Sequence, residues 1–417
     1  MSASANSGIG ALLTEPRLAA LLAVLDGAGE ETRVVGGAVR NALLGRPVDE
    51  VDLATTATPD VVSARARKAG FKAVPTGIEH GTVTIVVDGT PFEVTTLRED
   101  VETHGRRATV RFGRDFAADA RRRDFTINAL SLTRDERIHD HVGGLADLER
   151  RHVRFIGDPG ERIREDYLRI LRFFRFHSQY GDGPLDEAGF TAVIRERGGI
   201  SILSRERIRT EFLKLLATRR ALEVTQVLSE AGFLALFLAG VGDFGRLARA
   251  IADDQRERRG PDAVRRLAAL AVMTPEDAER LRQRLRLSNE EHDRLAAVAR
   301  LVARLKSASD PLDAVAIRRL VAEHGTALLG DALVLVAGEP RPVLTPAAAE
   351  AFRRFDSGED AVPVLPWRGS DIVARGVPKG PRVGELLARA RIAWLAAGCP
   401  SEASLEEMLA EPQAATR

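Results

Sequence analysis

The chain has 417 residues, 44% hydrophobic and 29% charged, with 61 basic side chains against 60 acidic ones and a formal net charge of +1. That length exceeds the roughly 250–300 residues at which one hydrophobic core stops growing, so two or more domains are expected. The one cysteine, Cys399, excludes an internal disulfide framework and a cysteine-rich zinc site, and no apolar run reaches the roughly 18 residues of a bilayer span. The start, Met1-Ser2-Ala3-Ser4, carries neither a basic segment nor an apolar h-region, so a cytoplasmic location is expected, with no membrane partner. Arginine is concentrated from Arg98 to Arg175, with clusters at Arg106-Arg107, Arg121-Arg122-Arg123 and Arg150-Arg151, and only five lysines occur in the chain. A local arginine zone on a near-neutral chain points to an anionic partner such as a nucleotide or RNA.

From Arg33 to about Leu132 short β-rich runs alternate with short helices, the pattern of one α/β-type unit. Gly36-Gly37-Ala38-Val39-Arg40 reads as a glycine turn opening a helix, a source of backbone N–H groups and positive charge for phosphates. Glu50 and Asp52 follow, two apart. On a strand they would share one face and could hold one or two magnesium ions, while Val51 and Leu53 face a core. Thr58-Pro59 starts a helix that Gly70 closes. Asp88-Gly89 between Thr82–Val87 and Phe92–Thr96 is a hairpin signal, and its second strand delivers Glu93 to the face opposite Phe92 and Val94.

In Arg122-Arg123-Asp124-Phe125-Thr126-Ile127-Asn128, Asp124 and Asn128 stand four apart, on one face if the segment is helical. The adjacent arginines suit a triphosphate clamp, and a surface Arg-Asp network fits the same residues. After about Ile156 the period becomes 3.6, with stripes at Leu168, Leu171, Phe174 and at Ile208, Phe212, Leu215. Asp166 and Arg169 fall one helical turn apart. A carboxylate accepts from an exocyclic amine and a guanidinium donates to ring or carbonyl acceptors, so the pair would take cytosine or adenine. Uracil and guanine would leave acceptors facing acceptors, at about 1–3 kcal/mol each. An ordinary ion pair fits that spacing too. Arg172 and Arg175 extend the face. Further on, Ser288 with Glu291 reads as a capping box, Asp310-Pro311 as a helix start and Gly325 as its end. The stretch from Gly338 to Pro366 reads as a hinge, and Gly376, Pro378, Gly380, Pro381 and Gly384 as turn punctuation. His80, His104, His139 and His141 are not at zinc-ligand spacing, and His292-Asp293 has no partner histidines nearby.

Together these boxes resemble the class II tRNA nucleotidyltransferases, the CCA-adding enzymes, with bacterial poly(A) polymerases as relatives. The resemblance spans about Arg33 to Leu216. Its motifs are Gly36 to Arg40, the acids Glu50 and Asp52, Phe92 to Arg98, Arg122 to Ala129, Glu165 to Arg169 and Glu206 to Glu211, with weaker likeness at Gly376 to Gly384. It implies an α+β chain: a polymerase-β-like head with a small β-sheet at residues 1–145, then an all-α neck at 146–216, body at 217–340 and tail at 341–417. It implies Mg2+ on Glu50 and Asp52, with Glu93 the third catalytic acid. Gly36, Gly37, Arg40 and Arg123 would contact phosphate, Asp124 the ribose 2′-hydroxyl beside Asn128, and Asp166 and Arg169 the base, supported by Arg172 and Arg175. The implied partners are CTP, ATP and the acceptor arm and 3′ end of tRNA, with no DNA. The chain departs from the family pattern at Glu50, usually Asp, at Asn41, usually Asp, and at Asp140-His141-Val142-Gly143-Gly144, commonly Asp-Pro-Phe-Gly-Gly. Rival readings are a poly(A) polymerase, which normally carries extra basic segments, and an enzyme adding only CC or only A; the intact stretch from Arg98 to Arg121 argues against a shortened CC-only loop. A catalytically silent RNA-binding protein is the rival from another class.

Overall fold

The computed structural model describes residues 3–77, 81–104, 107–257, 260–338, 340–401 and 408, without the side chains of 3–6, 99–104 and 107–111. His80 and Arg106 lie outside the described residues. The chain divides into two compact units, residues 1–204 and 205–417.

The first unit runs α1 (Ala3–Leu13), α2 (Pro16–Leu25), β1 (Thr32–Val35), α3 (Gly37–Leu43), β2 (Asp52–Thr55), α4 (Pro59–Lys68), β3 (Lys72–Gly77), β4 (Thr82–Val87) and β5 (Thr90–Thr96). Next come β6 (Arg98–His104), β7 (Arg107–Phe112), α5 (Phe116–Arg121), β8 (Ser131–Leu132), β9 (Ile138–His139), α6 (Gly144–Glu149), α7 (Pro159–Glu165), α8 (Leu168–Tyr180) and α9 (Glu187–Arg195). Seven strands form one sheet in the order β3-β4-β5-β2-β1-β8-β9, and β6-β7 form a separate ribbon. Among the described strand pairs only β2–β5 is parallel. The β4–β5 hairpin forms where expected: Asp88 and Gly89 both take positive φ, 47° and 79°, as the tight two-residue turn requires. Along it Val83, Ile85, Val87, Phe92 and Val94 are buried and packed beneath α4, so the alternate residues, Glu93 among them, face the other way.

Three aromatic rings, Phe155 between α6 and α7 and Phe173 and Phe176 on α8, close on Phe125 at centroid distances of 4.9, 6.3 and 5.2 Å. Phe125 and Ile127 therefore point inward as the sequence implies, but the segment is a short 3-10 turn at Thr126–Asn128 rather than an α-helix.

The second unit is helical: α10 (Arg205–Leu216), α11 (Ala221–Glu230), α12 (Leu234–Leu238), α13 (Phe244–Arg256), α14 (Ala263–Ala271), α15 (Pro275–Leu285), α16 (Asn289–Ser307), α17 (Ala314–Val336), α18 (Pro346–Asp356), α19 (Gly369–Ala374) and α20 (Pro381–Ala396). Ser288 and Glu291 form the expected capping box of α16. Gly325, at φ 78° and ψ 165°, leaves helical backbone, so α17 is two helices joined across a kink and Gly325 ends the first of them as expected. Three expectations are corrected. Asp310-Pro311 precedes the helix, whose N-cap is Asp313, because the Asp313 side chain accepts from Ala316 N–H at 2.8 Å. The supposed hinge from 338 to 366 contains α18, capped by Thr345 and started by Pro346, while Gly384 lies inside α20. No single described helix is long and apolar enough to cross a membrane. The bent pair Ser7–Leu13 and Pro16–Leu25, at 69°, passes that test on length and composition, and Leu18, Leu21, Leu22 and Leu25 are buried within the unit.

Candidate functional site

The parallel register sets Asp52 beside Glu93, and the antiparallel one sets Asp52 opposite Val35, the residue before the glycine turn. Adjacent strands lie about 4.8 Å apart, so the two carboxylates stand side by side on the exposed face of the sheet. Glu50 is not on this strand. Pairing with β1 ends at Val35 with Asp52, because Gly36 turns the chain away, and Glu50 and Val51 have no ladder partner there. The expected strand alternation of Glu50 and Asp52 is thus corrected, although Glu50 remains near enough for its charge to act on Asp52. The Asp52 carboxyl is pushed above its ordinary value by the protein packed around it and then by the Glu93 and Glu50 charges, with Arg123 opposing. Among the described residues no group of three or more His, Cys, Asp or Glu side chains is gathered at ligating geometry. Two adjacent carboxylates with a third in electrostatic range, one of them resisting ionisation, nevertheless suit a divalent cation, which would relieve that repulsion.

Gly36 has φ 71°, and a Cβ there would lie 2.9 Å from Arg123 Nη1. The positive φ is what demands glycine, and a side chain there would also push aside the end of the guanidinium laid across the turn. At Gly37, the first residue of α3, a Cβ would make only ordinary contact with Arg40, at 3.5 Å. Arg123 is anchored by Asp119 on α5: Nε and Nη2 donate to Oδ2 at 3.1 and 3.0 Å, while Arg122 Nε donates to Oδ1 at 2.8 Å. Burial pushes the Asp119 carboxyl up, but the two guanidinium groups outweigh it and hold it below the ordinary range.

The expected partner of the paired arginines, Asp124, is engaged elsewhere. Its Oδ2 accepts from Arg172 Nε at 2.8 Å, and its Oδ1 from Asn128 Nδ2 at 3.0 Å and Phe125 N–H at 2.8 Å. Arg40 is buried, donating to Asn128 Oδ1, to the Tyr180 hydroxyl at 2.6 Å and to Asn41 Oδ1 at 2.9 Å, with its guanidinium 4.0 Å from the Tyr180 ring centroid. Burial lowers its pKa to about 10. The departure at Asn41 is thus absorbed by a bond to Arg40. That at His141-Val142 leaves Asp140 capping α6, accepting from the N–H groups of Val142, Gly143, Gly144 and Leu145. Gly144 packs so tightly that a Cβ would meet the Thr126 carbonyl oxygen.

Asp166 and Arg169 do not share an uninterrupted helix. Asp166 takes extended dihedrals between α7 and α8, its Oδ1 accepting from Leu168 N–H at 3.1 Å, and Arg169 lies in the first turn of α8. Arg169 Nη1 donates to Glu165 Oε2 at 2.5 Å and to the Arg162 carbonyl at 2.6 Å. Arg172 and Arg175 flank the Phe176 ring at 5.1 and 4.3 Å. Sequence reasoning missed Asp119 and Tyr180. Asp119 carried a signal, three and four residues before Arg122 and Arg123; Tyr180, 140 residues from Arg40, carried none.

Similarity to known proteins follows the same residues. Residues 32–154 match a family model described as the Poly A polymerase head domain, and 185–241 one described as a probable RNA and SrmB- binding site of polymerase A. The chain is 32% identical to the mitochondrial CCA tRNA nucleotidyltransferase 1 of Mus musculus over 88% of its own length and 83% of the relative's. It is 32% identical to the CCA-adding enzyme of Limosilactobacillus fermentum, covering 88% and 89% of the two chains. The crystal structure of the Bacillus stearothermophilus CCA-adding enzyme in complex with CTP superposes with a TM-score of 0.66 at 27% identity, covering 95% of this chain and 94% of that one. The chain is a nucleotidyltransferase and belongs to the class II CCA-adding enzyme family.

Proposed function

We propose that this nucleotidyltransferase adds C, C and A in turn to the 3′ end of tRNA from CTP and ATP, without a nucleic-acid template, releasing pyrophosphate at each step. The observation that carries the reading is the register pairing of Asp52 with Glu93 beside a glycine turn over which Asp119 holds Arg123. Asp52 and Glu93, with Glu50 nearby, would hold Mg2+, which supplies charge neutralisation at the triphosphate and acidifies the primer 3′-hydroxyl. Arg123 presents its Nη1 edge to the glycine turn, where it meets phosphate, and the freedom of Gly37 from any fold constraint fits a ligand approaching its backbone closely.

Arg40 and Asn128 act behind the nucleotide, since their polar groups are already joined to each other. Asp124, fixed by Arg172 and Asn128, faces the ribose. Asp166 and Arg169 read the amine-and-acceptor edge shared by cytosine and adenine once Arg169 leaves Glu165, and Arg172 and Arg175 complete the basic wall. In this reading residues 1–145 form the catalytic head, 146–216 a base-reading neck, 217–340 a body, and 341–417 a tail that holds the tRNA.

The experiment incubates the chain with magnesium and tRNA ending before CCA, offering each nucleotide alone and CTP with ATP. Three additions in the order C, C, A support the reading. Long A tracts on arbitrary RNA, or no incorporation, overturn it.

A further inference from the structure

Arg162 of α7 touches no nucleotide in the reading above, yet it joins the two halves of the site. Its side chain is 12% exposed. Nη2 donates to the backbone carbonyls of Arg122 and Arg123, the latter at 2.5 Å, and Nη1 donates to both carboxylate oxygens of Glu165 at 2.6 and 2.7 Å. Its Nε is buried with no hydrogen-bond partner among the described residues. Burial, and then the neighbouring Arg169 charge, lower its pKa. A guanidinium kept in place with an unsatisfied nitrogen and a like charge nearby is an expensive way to fill space, so its contacts call for another reason.

Glu165 supplies it. Its carboxylate is shared between Arg162 and Arg169. Reading a base requires Arg169 to leave Glu165, whose half-exposed carboxylate then keeps a bidentate partner in Arg162 instead of drawing Arg169 back. We propose that Arg162 is a positioning residue for base selection: it neutralises Glu165 so that Arg169 is released to the base, and it ties that segment to the Arg122-Arg123 backbone under the triphosphate. The inference rests on Asp166 and Arg169 being the base readers. Lysine cannot replace arginine here, because a single ammonium cannot span two carbonyl oxygens and a bidentate carboxylate.

The test is a competition between CTP and UTP for addition to tRNA ending before CCA, comparing the unaltered chain with Arg162→Lys and with Arg162→Lys combined with Glu165→Gln. In the single variant the ratio of CTP to UTP kcat/KM falls by about tenfold or more, through a raised KM for CTP. The double variant regains most of that ratio, because no carboxylate remains to hold Arg169. Both nucleotides compete for the same folded molecules, so the ratio is independent of how much of a variant folds. A purely structural Arg162 would depress both nucleotides alike; an unchanged ratio in the single variant, or no recovery in the double, overturns the inference. Failure of the unaltered chain to add C, C and A would instead overturn the functional reading.

Discussion

Single side chains in the head carry predictions of opposite sign for activity and stability. Replacing Asp52 by Asn should lower incorporation by about 10²–10³-fold, as loss of a preorganised charged group does. It should also raise Tm at neutral pH. The Asp52 pKa is raised in the folded state, so the folded chain loses stability as pH rises from the ordinary 3.8 through the shifted value, and Asn escapes that loss. Melting curves should show the Asn variant ahead at neutral pH and the gap closing as pH falls towards 3.8; a lower Tm at neutral pH would contradict the electrostatic account. Gly36→Ala should cost about 1–2 kcal/mol from its positive φ and raise the nucleotide KM by displacing Arg123, and unchanged kinetics would show that Arg123 tolerates the shift. Much of this was legible in the sequence: Gly36, Asp52 and Glu93 are where pattern and spacing put them. What was hidden is who pairs with whom. Asp124 meets Arg172, 48 residues away, and no local spacing announces that bond.

Among elements, α5 and α16 make contrasting cases. Asp119 couples α5 to both arginines, and its lowered pKa means it contributes stability that is present above 3.8 and lost as pH falls through the folded value. Asp119→Ala should cost about 2–3 kcal/mol, less than a wholly buried pair because the arginines are partly open to water, and should raise the KM for CTP and ATP together. A stability loss with KM unchanged would confine Asp119 to folding. Ser288→Ala removes one half of the α16 capping box, so Tm should fall by the equivalent of about 1 kcal/mol while nucleotide kinetics stay the same. The hairpin, the α16 cap and the α4 start at Thr58-Pro59 were readable because each depends on a few adjacent residues with one dominant conformation, whereas Asp310-Pro311 misled because Asp313, three residues on, is the actual cap. The strand at Glu50 was read too long because its end is set by Gly36 turning β1 away. The helix through Asp166 was read as continuous because nothing in the residue types marks the two-residue break at Asp166-Tyr167.

Taken whole, the chain is nearly neutral, yet its arginine zone lies in the unit that carries the site, so binding to a polyanion should be salt-sensitive out of proportion to net charge. The KM for tRNA should rise steeply with salt, through the release of several counterions, and the KM for CTP much less. Equal slopes would mean that few arginines meet the RNA backbone. Two compact units were foreseeable from length alone, whereas the names and limits of neck, body and tail came only from family likeness; the boundary between the units falls after Ser204, inside the stretch read as neck. The parallel pairing of β2 with β5 has a consequence in time. Asp52 and Glu93 become neighbours only after α4, β3 and β4 have been laid between them, and such non-local contacts form slowly. A chain still emerging from the ribosome therefore exposes one harmless acid after another: fragments that end before β5 carry no paired carboxylates, and those that end before Arg123 still lack the guanidinium laid across the glycine turn.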